Sequence, residues 1–110
     1  MKVNYKTKDG RMNVDIEGDG QSAIFAGIGR FQEVFEESKC GKCKSDNIRY
    51  VVRVVDDNPY YELRCKDCGA KLAYGAHKKG GGLFPKRKDG DDWLPDNGWV
   101  KWNPKTEKNE

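Results

Sequence analysis

At 110 residues, with 35% of them charged and a mean hydropathy of −0.97, the chain has enough material for one small domain but little apolar surface to hold it together. That composition excludes a large self-supporting core, and no apolar run approaches the roughly 20 residues of a membrane span. The formal charge of +3 hides a gradient: residues 1–37 carry net −2, residues 38–69 +2, residues 70–88 +6 with no acid, and residues 89–110 −3.

The chain opens on two alternating segments, Lys2-Val3-Asn4-Tyr5-Lys6 and Met12-Asn13-Val14-Asp15-Ile16-Glu17, separated by the turn-forming Lys8-Asp9-Gly10-Arg11. This pattern predicts a β-hairpin. Beyond Gly18-Asp19-Gly20, Ser22 is placed to cap a helix whose apolar positions Ile24, Ile28, Phe31 and Phe35 form one stripe. Gly27 and Gly29 weaken its first turns, so the ordered helix is expected to begin nearer Arg30. Residues 1–38 thus read as hairpin plus helix.

Two cysteine pairs follow, Cys40-Gly41-Lys42-Cys43 and Cys65-Lys66-Asp67-Cys68, with 21 residues between Cys43 and Cys65. Each C-x-x-C can fold into a knuckle that aims two sulfurs at one ion, and two knuckles complete a tetrahedral thiolate cage, so one structural zinc is expected. With four protein sulfurs no position stays open for water, and the metal is scaffold. A disulfide framework, with three possible pairings, and a thioredoxin-like redox pair are the alternatives. No apolar leader opens the sequence, which favours a reducing compartment, the cytoplasm. Between the pairs, Ile48 to Val55 is rich in β-branched residues, Asp56-Asp57-Asn58-Pro59 is turn-forming, and Tyr60 to Arg64 leads back into Cys65. Period-two geometry puts Ile48, Tyr50, Val52 and Val54 on one face and Arg49, Val51, Arg53 and Val55 on the other. In the returning strand it separates Tyr61 and Leu63 from Tyr60, Glu62 and Arg64.

Knuckle, hairpin, knuckle, with Gly69 directly after Cys68, resembles the zinc-ribbon fold over residues 39–73. Members of that fold occur in transcription factors, polymerase subunits, ribosomal proteins and replication or repair proteins. The stretch from Tyr60-Tyr61-Glu62-Leu63-Arg64-Cys65 through His77-Lys78-Lys79-Gly80-Gly81 to Phe84-Pro85-Lys86-Arg87 is also similar to small bacteriophage-encoded zinc-ribbon proteins that lie beside replication and recombination functions. That resemblance implies an accessory role in those processes, in the host cytoplasm. The first knuckle departs from the ribbon pattern, because Gly41 lies inside the pair and Lys44 follows it, which makes a tight turn after Cys43 less assured.

Residues 74–90 read as a basic, glycine-rich loop. The surrounding stretch carries Lys71, Lys78, Lys79, Lys86, Arg87 and Lys88, is interrupted by Gly80-Gly81-Gly82, and interleaves Tyr74, His77 and Phe84. Cations neutralise phosphate, glycines admit it close to the backbone, and aromatic faces accept stacked bases. The bland alternative is a solvated loop. From Asp89 the sign reverses, and residues 91–103 hold all three tryptophans around Pro95-Asp96-Asn97-Gly98; Asn-Gly predicts a Trp-rich hairpin, with at least two of its tryptophans covering a thin core. Residues 104–110 form a polar tail.

The sequence therefore predicts a small α+β protein, one compact domain overall: N-terminal hairpin and helix, four-cysteine zinc ribbon, basic loop and Trp-rich hairpin. The expected function is nucleic-acid binding with little sequence preference, single-stranded DNA ahead of RNA or duplex, because the helix candidate ends in Glu33, Glu36 and Glu37, which repel phosphate. Arg49, Arg53, Tyr60, Arg64, Lys71, Tyr74, His77, Lys78, Lys79, Phe84, Lys86, Arg87 and Lys88 are the candidate contacts. A metal nuclease pairing His77 with Asp91, Asp92 and Asn97 lacks the usual second histidine or tighter carboxylate cluster, so no enzymatic activity is expected. The reading from a different class is a small adaptor or inhibitor that docks on a polymerase or another enzyme.

Overall fold

The computed structural model describes residues 1–109, which divide into two compact units, Met1–Ser38 and the residues from Lys39 onward. The architecture is α+β, with one helix and several antiparallel strands.

In the first unit β1 (Lys2–Lys6) pairs antiparallel with β2 (Asn13–Glu17), from Lys2 opposite Glu17 to Lys6 opposite Asn13. Alternation turns Val3, Tyr5, Val14 and Ile16 to the half-buried face. Thr7 fastens the connecting loop: its buried side chain accepts a bond from the Met12 amide at 3.0 Å and donates one to Asp9 at 2.7 Å. The helix α1 spans Gln21–Phe35, through both glycines, and starts at Gly20 (φ 93°) with no side-chain cap, so Ser22 does not fill that role. Gly27 belongs inside the helix for a packing reason. A Cβ there would lie 2.8 Å from Ile16 Cγ2, so the bare backbone lets α1 seat directly on β2. Ile24 is buried, and Phe31 packs between Tyr5 and Phe35, with ring centroids 5.8 and 4.8 Å away.

In the second unit β3 (Ile48–Val55) and β4 (Asn58–Cys65) are joined by a two-residue turn in which Asp56 and Asp57 both take positive φ, 51° and 65°. That conformation matches the twist of the flanking strands, and aspartate tolerates it better than most residues. β5 (Lys71–Ala76) and β6 (Leu83–Pro85) complete a four-stranded antiparallel sheet in the order β3-β4-β5-β6. About half of the segment expected as one basic loop, residues 74–90, is therefore strand, and the turn 77–82, the link 86–87 and Gly90 stay outside. β5 reaches to Ala76 because Tyr74 and Leu72 both have a core to enter. Ile48, Leu63, Leu72 and Tyr74 all project from one face of the sheet, and with Trp99 they form the buried core.

The C-terminal stretch is not a hairpin centred on Asn97-Gly98. β7 (Lys88–Asp89) pairs with β8 (Asp92–Trp93), a tight turn spans Pro95–Gly98, and β9 (Trp102–Asn103) pairs with β10 (Lys108–Asn109). Asp96, Asn97 and Gly98 are all left-handed, at 55°, 58° and 91°, and the reversed chain bridges Val100 to Lys71 of β5 instead of returning along β8. Only Trp99 is buried, at 0% exposure, while Trp93 and Trp102 are 70% and 57% exposed. One tryptophan covers the core where two were expected.

Candidate functional site

The two knuckles repeat the same backbone pattern. Lys44 N donates to Cys40 O and Gly69 N to Cys65 O, each at 3.0 Å; Cys40 N donates to Ser45 O at 2.8 Å and Cys65 N to Ala70 O at 2.9 Å. In each, the residue after the pair is left-handed, Lys44 at 66° and Gly69 at 81°. The first knuckle closes despite its lysine. The amides of Lys42 and Cys43 point at Cys40 Sγ (3.3 and 3.5 Å), and the Cys68 amide points at Cys65 Sγ (3.4 Å). Such donors stabilise thiolate.

Four free cysteine side chains converge, with all sulfurs within 4.8 Å of one another and separations of 3.6 Å for Cys40–Cys68 and 3.5 Å for Cys43–Cys65. A disulfide would require about 2.05 Å, whereas four sulfurs about 2.3 Å from a central ion are about 3.8 Å apart. The cluster therefore fits one tetrahedral metal ion. Burial is the largest influence on Cys40 and pushes its thiol up. At Cys65 desolvation is outweighed by the amides of Cys68 and Asp67 and by neighbouring sulfurs, which bring the thiol down to about 7. At Cys43 the Ser45 amide pulls downward, but desolvation and the other three sulfurs hold the thiol up at about 12. Crowded sulfurs give up protons in sequence, and four thiolates coexist only around a cation.

Neighbours that the sequence did not single out hold the knuckles together. Asp67, inside the second pair, accepts bonds from Ser45 and from Asn47 Nδ2 (3.2 Å), and Lys66 N donates to Asn47 O at 2.9 Å. Those side-chain bonds hold the Asp67 carboxyl below its usual range. Behind the first pair, Trp99 lies so close to Gly41 that a Cβ there would be 2.6 Å from Trp99 Cδ1 and 2.3 Å from Asp96 O, and Lys42 Nζ pairs with Asp96 at 2.6 Å. The glycine inside the pair admits the tryptophan. Spacing alone gave no sign of this packing.

The sheet face opposite the core gathers much of the predicted cationic and aromatic set. Register places these residues in rows that cross the strands. Arg53 stands opposite Tyr60; one residue beyond the Tyr61–Tyr74 pair, Tyr60 lies beside Gly75; and Gly75 stands opposite Phe84. The Phe84 ring lies over Gly75, where a Cβ would be 2.4 Å from Cζ, and His77 packs on Phe84 at 4.9 Å. The Arg53 guanidinium sits 5.5 Å from the Tyr60 ring centroid. In the next row Val51, Glu62 and Ala73 align, and Lys86 N donates to Ala73 O. In the third, Arg49 faces Arg64, and Arg64 faces Lys71.

Glu62, with its side chain 2% exposed, is the hub of this face: Arg53 Nε lies 2.9 Å from its carboxylate, Arg64 Nη2 2.6 Å and Lys71 Nζ 3.9 Å. The sequence assigned Glu62 to the arginine face but gave no hint that it is buried as their counter-ion. Three other expectations are corrected or redistributed. Tyr74 is 8% exposed on the core face, so it is no stacking platform. Arg87 Nη1 donates to Asn97 O at 2.5 Å and braces the turn, and Lys88 Nζ sits 4.4 Å from the exposed Trp93 ring centroid. Lys78 and Lys79 are exposed in the β5–β6 turn. Among the described residues, the four cysteines form the one cluster of three or more His, Cys, Asp or Glu able to hold a metal, and His77 with Asp91 and Asp92 makes none.

Fold and site together define a small α+β protein with a four-cysteine cluster that could hold one metal ion. Among the described residues no helix is long and apolar enough to cross a membrane. No protein-family model, curated protein or solved structure matches the chain.

Proposed function

We propose that this chain is a zinc-ribbon protein that binds nucleic acid, single-stranded DNA ahead of RNA or duplex, with little sequence preference and without catalysis, as an accessory to replication, recombination or repair. The ion is zinc because an all-thiolate tetrahedron is its commonest structural environment. The accessory role rests on the resemblance of residues 60–87 to phage-encoded ribbon proteins. The observation that carries the binding reading is the sheet face on which Arg49, Arg53, Arg64 and Lys71 share a surface with Tyr60 and Phe84 around a single buried acid. Cations beside rings suit a flexible strand with unstacked bases.

The test is a salt titration of fluorescent oligonucleotide binding, repeated with Lys78, Lys79, Lys86, Arg87 and Lys88 neutralised. Affinity should fall as salt rises, by about 0.7 in logarithmic slope per phosphate contacted, and fall again in the variant. Elemental analysis should find one zinc per chain. One observation favours a second reading, docking on a protein: β3 is an edge strand on which Tyr50, Val52 and Val54 are exposed. Absence of oligonucleotide binding by the unmutated protein at low salt supports that reading.

A further inference from the structure

We propose, building on the nucleic-acid reading above, that a single strand crosses the sheet at right angles to its β-strands, with bases stacked on Tyr60 and Phe84 and phosphates following Arg64, Lys71 and Lys86. Three features of the rows carry this. First, the planar groups form one continuous line: the Arg53 guanidinium against Tyr60, bare Gly75 next, and Phe84 over it with His77 behind. Adjacent strands are about 4.8 Å apart, so Tyr60 and Phe84 rise from backbones about 10 Å apart, and because Gly75 has no side chain the Phe84 ring leans over it toward Tyr60.

Second, the cationic heads lie beside that line. Arg64 and Lys71 start in the third row, yet both reach Glu62 in the second, whose cross-strand neighbour Ala73 accepts the Lys86 amide. Each row is two residues, or about 7 Å, from the next, a spacing on the scale of base to phosphate in one nucleotide. Third, Glu62 is too buried to meet a phosphate, and it fixes Arg53 through Nε and Arg64 through Nε and Nη2 while both arginine side chains stay about two-fifths exposed. Anchored heads lose less freedom on binding. The arrangement sets the direction of the strand and separates two roles: rings for affinity that tolerates salt, cations for affinity that does not.

The experiment uses the zinc-loaded full chain and short oligothymidylate. Tyr60→Leu and Phe84→Leu, which keep apolar bulk, should each weaken binding about tenfold with an unchanged salt slope, whereas Lys71→Gln and Lys86→Gln should each lower the slope by about 0.7. Photocrosslinking of an iododeoxyuridine-substituted oligonucleotide to the unmutated protein gives a measurement that no folding defect can confuse, and peptide mapping should place the adducts at Tyr60, Phe84 or His77. If adducts and affinity losses instead follow Lys78 and Lys79 while both ring variants bind normally, the crossing path is wrong and nucleic-acid binding stands. If the unmutated protein binds no oligonucleotide at low salt, the underlying reading fails and the path with it.

Discussion

Gly41 and Glu62 show how single residues set the limits of this site. A Cβ at Gly41 would penetrate both the Asp96 carbonyl and the Trp99 ring, so both must move away from the first knuckle. Gly41→Ala should destabilise the metal-loaded protein by about 1–3 kcal/mol or more, as overpacked cores do, and thermal melts with metal in excess will show it. Gly29→Ala is the contrasting case. Nothing lies within 4 Å of a Cβ there and the position is helical, so unfolding should become harder by about 0.4–1 kcal/mol. At Glu62 fold and function pull in opposite directions, because the carboxylate that organises Arg53, Arg64 and Lys71 also cancels one of their charges. Glu62→Gln should lower stability by about 1–3 kcal/mol, the scale of lost charged hydrogen bonds discounted for the half-exposed cations. Its long-range attraction for oligonucleotides should rise at low salt. Chemical denaturation and anisotropy on one preparation read both effects, and tighter folding in the variant would contradict the hub role.

At the scale of elements, the knuckles and the β3–β4 hairpin tie metal to sheet, because Cys65 ends β4 directly opposite Ile48, where β3 begins. Removing the ion with a strong chelator should abolish amide protection in β3, β4 and β5 together, read by hydrogen exchange; persistence of that protection would mean that the sheet stands without its clamp. Acidification should act in the same direction. Metal binding requires all four thiolates, which in the loaded state are held ionised below their unfolded range, so the stability they contribute is present above the unfolded thiol range and is lost as pH falls. These are also the elements that were legible in the sequence. C-x-x-C spacing, β-branched runs and Asp-Asp at the turn are local signals with local consequences. The C-terminal stretch was not legible for a physical reason: Asn97-Gly98 does reverse the chain, but the partner of Val100 is Lys71, remote in sequence, and the fit of Trp99 over Gly41 decides the matter. Tyr74 was misread because a residue in a basic stretch takes its exposure from strand parity, which became visible only once β5 was known to run through it.

Across the whole molecule, charge and shape make opposite demands on metal loading. Residues 39–110 carry net +5, against −2 for residues 1–37. Four thiolates and one dication lower the charge of the loaded centre by about two units relative to four neutral thiols. Metal therefore makes the protein a weaker polycation. If attraction for nucleic acid came from basic residues alone, the metal-free chain, being more positive and more flexible, would bind at least as tightly as the loaded one. If binding depends on the rows of the sheet face, the loaded protein must bind more tightly in spite of its lower charge, because only the folded sheet aligns Tyr60 with Phe84 and gathers Arg64 and Lys71 around Glu62. Loaded and chelated protein compared by anisotropy at several salt concentrations separate the two accounts. The expected result is tighter binding by the loaded form at every salt concentration, with the gap widening as salt screens the charge and leaves ring stacking to dominate. Equal affinities at low salt that fall together would reduce the metal centre to a fold stabiliser with no part in presenting the surface.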